Sequence, residues 1–118
     1  MNTLTNIFKI LSDETRLRII MLLYQQDLCV CELSGILDIP QPKISKSLSK
    51  LRDTNLVSDT RLEKFVFYSL KTEDPVLLNT LKTIMENLES YPQLINDRTR
   101  LADKEIYLNA CNNVKEGD

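Results

Sequence analysis

The stretch Asp38-Ile39-Pro40-Gln41-Pro42-Lys43-Ile44-Ser45-Lys46-Ser47-Leu48-Ser49-Lys50-Leu51-Arg52-Asp53 decides how the rest of the chain is read. Residues before a proline avoid the helical region, so Asp38 to Gln41 interrupts whatever helix precedes it. Pro42 itself suits a first helical turn. Ile44, Leu48 and Leu51 then recur at i, i+4 and i+7, which is one stripe of a helix. Lys43, Lys46 and Lys50 form a second stripe, roughly 130° away at 100° per residue, with Ser45 and Ser49 beside it. The spacing predicts a helix from about Pro42 to Asp53 with one face buried and another cationic.

Working upstream, Leu28 to Leu37 reads as a short helix. Ser12 offers an N-cap for a strongly apolar helix carrying Leu17, Ile20, Leu23 and Tyr24, with Asp13 and Glu14 in its first turn. Leu4, Ile7, Phe8 and Leu11 give a first short helix. Downstream, Leu56 to Arg61 and Lys64 to Leu70 read as two strands of a hairpin, Phe65-Val66-Phe67-Tyr68 being the strongest β-forming cluster. Asp74-Pro75 is a cap-plus-proline start for a long helix whose Leu77, Leu81, Ile84 and Leu88 follow a coiled-coil-like repeat. Pro92 divides it from a more charged last helix that fades before Cys111.

This order predicts a mainly α fold with a small β-hairpin, a winged helix–turn–helix occupying residues 1–110, followed by a polar tail at 111–118. A short helix, a tight turn and a second helix with a polar outer face form the unit that enters the DNA major groove. Lys43, Lys46 and Lys50, with Arg61 and Lys64 near the hairpin tip, suit phosphate contact. Gln41, Ser45 and Ser47 are short polar groups able to reach base edges or phosphates. The net charge of −2 over 118 residues hides this polarity, because residues 41–64 hold six cations against three carboxylates and leave −5 for the remainder.

The same sequence argues against other classes. There is no histidine, no glycine-rich phosphate loop and no C-x-x-C, so an enzyme is disfavoured. No apolar run approaches the ~18–20 residues of a membrane span, and no secretory leader is visible. Three cysteines outside a secretory context read as free thiols or ligands, and a cytoplasmic protein is expected.

Cys29 and Cys31 stand one residue apart in Asp27-Leu28-Cys29-Val30-Cys31-Glu32-Leu33. On a regular helix such positions point about 200° apart, so both cannot face one core. They also cannot both grip one ion unless the helix start is irregular. The spacing is poor core design and plausible sensor design.

Four motifs together resemble the arsenical-resistance repressor family, the ArsR/SmtB-type metalloregulators, over nearly the whole chain. Phe8 to Ile19 (FKILSDETRLRI) is similar to the family's entry helix pair, and Leu28-Cys29-Val30-Cys31-Glu32-Leu33 to its metal-binding box. Gln41-Pro42-Lys43-Ile44-Ser45-Lys46-Ser47-Leu48 with Leu51-Arg52 resembles its recognition helix, and Phe65 to Leu70 its second wing strand. The resemblance implies a homodimeric repressor, joined through the first and long C-terminal helices, that sits on double-stranded operator DNA and leaves when an ion binds. Two departures stand out: Ser34 occupies a position where relatives often carry a third thiol, and the wing turn Arg61-Leu62-Glu63-Lys64 lacks a glycine, which suggests a longer turn.

Zinc sites on the C-terminal helices of this family use histidine, which this chain lacks. Soft thiolates select soft ions. Trivalent arsenic or antimony, satisfied by three sulfurs, is the expected inducer, with Cys29, Cys31 and Cys111 as ligands and no cofactor needed for folding. Cadmium or lead in the same site, or a thiol redox switch, remain the alternatives.

Overall fold

The computed structural model describes residues 2–109. Helices α1 (Asn2–Leu11) and α2 (Glu14–Gln25) lead into a two-residue strand β1 (Leu28–Cys29) and α3 (Val30–Leu37). Helix α4 (Gln41–Asp53), strands β2 (Val57–Leu62) and β3 (Phe65–Leu70), and helix α5 (Pro75–Glu86) follow. A 3-10 turn at Leu88–Ser90 and α6 (Pro92–Leu101) complete the order, and 104–109 is again helical. This is a winged helix–turn–helix.

The predicted stripe of α4 faces inward: Ile44, Leu48 and Leu51 are fully buried against Ile19, Ile20 and Leu22 of α2 and Leu33 and Ile36 of α3. Burying each side chain of this size is worth about 1.5–3 kcal/mol, so the stripe fixes which face α4 turns outward. Helix α3 stops because Asp38 takes the left-handed conformation (φ 55°) while its N–H donates to the Ser34 carbonyl. Ser34 also donates its hydroxyl to the Ile39 carbonyl at 2.6 Å. The Ser34 side chain therefore pins the turn of the helix–turn–helix.

Several boundaries differ from the sequence expectation. Asp13, not Ser12, caps α2, accepting the Arg16 N–H at 2.9 Å, while the Ser12 hydroxyl donates back to Lys9. Phe8 is exposed, and Ile10 takes its place in the core beside Ile7. The wing turn is short: Leu62 pairs with Phe65, leaving only Glu63-Lys64 as the loop, and Glu63 carries the left-handed φ of 57°. Two-residue hairpin turns with a positive φ at the first loop position favour glycine there. Glu63→Gly is thus expected to stabilise the fold by about 0.5–1 kcal/mol, read as a higher urea midpoint at unchanged slope.

The coiled-coil-like repeat is spent inside the protomer. Leu77, Leu81 and Leu88 are buried in the chain's own structure, and α5 ends at Glu86. Helix α6 is held by polar contacts. Asp97 is 2% exposed and accepts both the Nε and an Nη of Arg18 at 2.9 Å, which ties α6 to α2. Arg100 donates to the Gly35 carbonyl at 2.8 Å and to the Tyr107 hydroxyl at 3.2 Å, tying α6 and its continuation to α3. The Tyr107 ring lies where a Cβ on Gly35 would stand, so only glycine admits it.

Candidate DNA-binding face and thiol site

On α4 the side chains of Gln41, Lys43, Ser45, Lys46, Ser49 and Lys50 are exposed. Lys43, Lys46 and Lys50 line one groove of about 630 Å³, with Arg16 and Asp13 on its far wall. Four cations there face one carboxylate, and Asp13 already accepts the Arg16 N–H. Ser47 is half-buried on this groove wall rather than on the outermost face. Arg16 is a residue the sequence reading missed. Its guanidinium is anchored to the carbonyls of Ile10 and Lys9 at 3.1 and 3.4 Å, so it holds its charge at the edge of the groove. Its signal was the Arg16-x-Arg18 pair, whose second member serves the core. Arg52 is engaged otherwise, in an exposed ion pair with Asp59 at 3.1 Å.

The two cysteines do not share a helix. Cys29 closes β1 in extended conformation (φ −94°, ψ 172°), with its Cα opposite that of Phe67 in β3, and α3 begins only at Val30. The 200° separation expected on a helix does not apply, and Cys29 and Cys31 open onto one cavity of about 310 Å³. The irregular start is held by a reciprocal cap: the Glu32 carboxylate, 1% exposed, accepts the Cys29 N–H at 3.0 Å, and the Glu32 N–H faces the Cys29 sulfur. Burial pushes the Cys29 thiol up from its ordinary range, and the Glu32 carboxylate adds to this, while neighbouring backbone N–H groups oppose it.

Gln41, the first residue of α4, donates from Nε2 to the Cys31 sulfur at 3.7 Å. Arg61 and Lys64 of the wing line the same cavity, with Phe65 and Val66 behind them. The structure thus brings five of the sequence-selected residues, Cys29, Cys31, Gln41, Arg61 and Lys64, into one place. Among the described residues no three cysteines, carboxylates or histidines group around a metal-sized site. Cys111 lies outside the described residues.

A family model for bacterial regulatory proteins of the arsR family matches residues 13–59. The chain is 37% identical over 99 residues to the arsenic resistance transcriptional regulator ArsR1 of Pseudomonas putida, covering 82% of this chain and 76% of that protein. The chain belongs to the arsR family. It is therefore a transcriptional regulator and not an enzyme. It is also 49% identical over 70 residues to the arsenical resistance operon repressor of Escherichia coli, a match spanning 58% of this chain and 60% of that repressor. Among solved structures, reduced HlyU from Vibrio cholerae superposes with a TM-score of 0.66 at 27% identity, covering 72% of this chain and 87% of that one. The antimony-specific transcriptional repressor AntR gives 0.63 at 26%, covering 76% and 80%. The homodimeric winged helix–turn–helix DNA-binding domain of Mb0332 from Mycobacterium bovis gives 0.62 at 25%, covering 76% and 85%. No helix among the described residues of this arsR-family chain is long and apolar enough to cross a membrane.

Proposed function

We propose that this arsR-family regulator is a homodimeric repressor that binds operator DNA and releases it when trivalent arsenic or antimony is captured by Cys29 and Cys31. The observation that carries this reading is the one cavity lined by both Cys29 and Cys31, the sulfur of Cys31 accepting a hydrogen bond from the first residue of the recognition helix. The names of the relatives point the same way, since two are arsenic-resistance regulators and one neighbour is antimony-specific. Lys43, Lys46 and Lys50, with Arg61 and Lys64 on the wing, contact phosphates. Gln41 and Ser45 read base edges, and Ser47 lies at the groove wall.

Capture requires the two sulfurs to turn toward a common ion. Cys31 then ceases to serve as the acceptor that positions Gln41, and Cys29 pulls on β1. Because Leu28 and Cys29 pair with Tyr68 and Phe67, that pull reaches the wing as well as the recognition helix. Two half-sites on a dimer lose register with the operator when either element shifts. For the dimer, Phe8 (53% exposed) and Val76 (47% exposed) are apolar side chains of α1 and α5 left uncovered by the protomer.

Trivalent arsenic needs a third sulfur, and Cys111 is the remaining cysteine. Tyr107 packs on Gly35, which is one helical turn from Cys31 on α3. Cys111 follows Tyr107 by four positions in the sequence. Cys111→Ser is expected to raise the arsenite concentration needed for release by about tenfold, on the order of one lost ligand. An unchanged response removes Cys111 from the ligand set.

Following operator release during titration with arsenite, cadmium and peroxide separately tests the function. Arsenite is expected to act at the lowest concentration. Release by cadmium alone, or by peroxide alone, assigns the site to a divalent ion or to redox sensing. The pH dependence separates the ions further. Burial holds the Cys29 thiol protonated, and arsenous acid, in exchanging a hydroxyl for a thiol, gives up water and leaves the proton count unchanged. Cadmium must expel one proton per thiol. Between pH 6 and pH 8, apparent cadmium affinity should rise steeply, by about tenfold per proton per pH unit, while arsenite affinity stays nearly flat.

A further inference from the structure

The cationic face of α4 continues past the end of that helix and onto α1. A second, smaller groove of about 170 Å³ is lined by Asn6, Lys9 and Ile10 of α1, Arg16 of α2, Lys50 of α4 and the adjoining Thr54. It shares Arg16 and Lys50 with the larger groove, so the two are contiguous. Lys9 thereby joins Arg16, Lys43, Lys46 and Lys50, and the combined track holds five cations against one carboxylate, that of Asp13. The track stops at the next cleft, which shares Asn6, Ile10 and Thr54 but is lined by Asp53 and Asp74 with no lysine or arginine. The wing cavity shares no residue with either groove.

The last turn of α1 is fixed in place. The Lys9 carbonyl accepts the Ser12 hydroxyl at 2.6 Å and an Nη of Arg16 at 3.4 Å, while the Ile10 carbonyl accepts the Arg16 Nε at 3.1 Å. These bonds occupy carbonyls left without helical partners at the end of α1 and tie that turn to α2. The Lys9 side chain is exposed, with Asn6 three positions earlier on the same helix face. A cation in the last turn also suits the helix dipole. The dipole does not account for a groove that Lys9 shares with Arg16 and Lys50 and that no carboxylate lines, where like charges repel until an anion enters.

We infer that α1 is part of the DNA interface: Lys9, with Asn6 beside it, holds a backbone phosphate lying past the end of α4. The assignment rests on the proposed function, in which α4 enters the major groove, and extends its footprint to a helix outside the helix–turn–helix. Arg16 and Lys50 carry the phosphate track from α4 to α1, separately from the wing's contact at Arg61 and Lys64. Phosphate contacts set register and affinity without reading sequence, so Lys9 strengthens binding to any duplex.

The test uses the full chain and a fluorescent duplex that it enriches from a random-sequence pool, with anisotropy followed across a salt series. Lys9→Gln should make the slope of log affinity against log salt shallower by about 0.9 per protomer and weaken binding about fivefold per protomer near physiological salt. Lys9→Arg keeps the charge and should retain the parent's slope. Neutralising the duplex phosphates one at a time as methylphosphonates then locates the contact. At least one substitution that weakens the parent should have no effect on Lys9→Gln, as a paired contact requires. Lys9→Gln leaves the backbone bonds to Ser12 and Arg16 in place, so its urea midpoint should match the parent's. A parent-like salt slope in Lys9→Gln overturns the inference alone. So does a shallower slope with every phosphate still felt equally by parent and variant, since the charge then acts at a distance and touches no phosphate. If the parent enriches no duplex at any salt concentration, the functional reading itself fails, and the inference fails with it.

Discussion

Replacing Cys29 and Cys31 together by serine is expected to abolish operator release by arsenite, shifting the effective concentration by at least about 100-fold, while operator affinity stays within about threefold of the parent. Serine is the informative substitution because it separates ligand chemistry from architecture. At position 29 a hydroxyl can cap α3 as well as or better than a thiol, since serine is a preferred N-cap residue. The Glu32 carboxylate continues to accept the residue 29 backbone N–H, which does not depend on the side chain. At position 31 the hydroxyl still offers Gln41 an acceptor in place of the sulfur now 3.7 Å away. What disappears is the soft donor, and an alcohol binds trivalent arsenic or cadmium far more weakly than a thiolate. Fluorescence anisotropy of labelled operator, with and without arsenite, measures both quantities in one experiment. Loss of DNA binding in the absence of arsenite would instead show that the thiols hold the recognition helix in place.

The second large effect concerns the recognition helix. Lys43→Ala/Lys46→Ala/Lys50→Ala is expected to weaken operator binding on the order of 100-fold near physiological salt. Each phosphate-contacting lysine contributes about 0.9 to the slope of log affinity against log salt, so the slope should become shallower by about 2.7 per protomer. All three side chains are exposed and line one groove, while the apolar stripe of Ile44, Leu48 and Leu51 is untouched. The variant should therefore unfold at the parent's urea midpoint, within about 0.5 kcal/mol. An unchanged salt slope would move the DNA-contacting face away from these lysines. Arg16→Ala belongs in the same series, and its anchored guanidinium should contribute a comparable single step.

Much of this fold was legible because its signals are local. The stripe on α4, the proline-marked turn and the β-forming run at Phe65 each depend on neighbouring residues, and each was placed within a residue or two. The start of α3 falls two residues later than expected, at Val30. Helical propensity runs smoothly through Leu28, but pairing with Tyr68 and Phe67, forty residues away, draws Leu28 and Cys29 into the sheet. That long-range pairing turns an awkward i, i+2 thiol spacing into two donors on one cavity. The repeat at Leu77 shows a related limit: periodicity records that a stripe is covered, not by what. In this chain the protomer covers it, and the apolar residues left outside, Phe8 and Val76, lie off the repeat. Ser34 illustrates the same limit, since its hydroxyl's bond to Ile39 depends on the turn closing.

The claim at the centre of this account is that the thiol cavity and the DNA face are energetically linked. Calorimetric titration of arsenite into the full chain, first free and then saturated with operator, tests it most directly. Linkage requires operator to weaken arsenite binding by the same factor by which arsenite weakens operator binding. The account predicts a fall in arsenite affinity of at least about 100-fold in the presence of operator. Equal arsenite affinity for the free and operator-bound protein would contradict it.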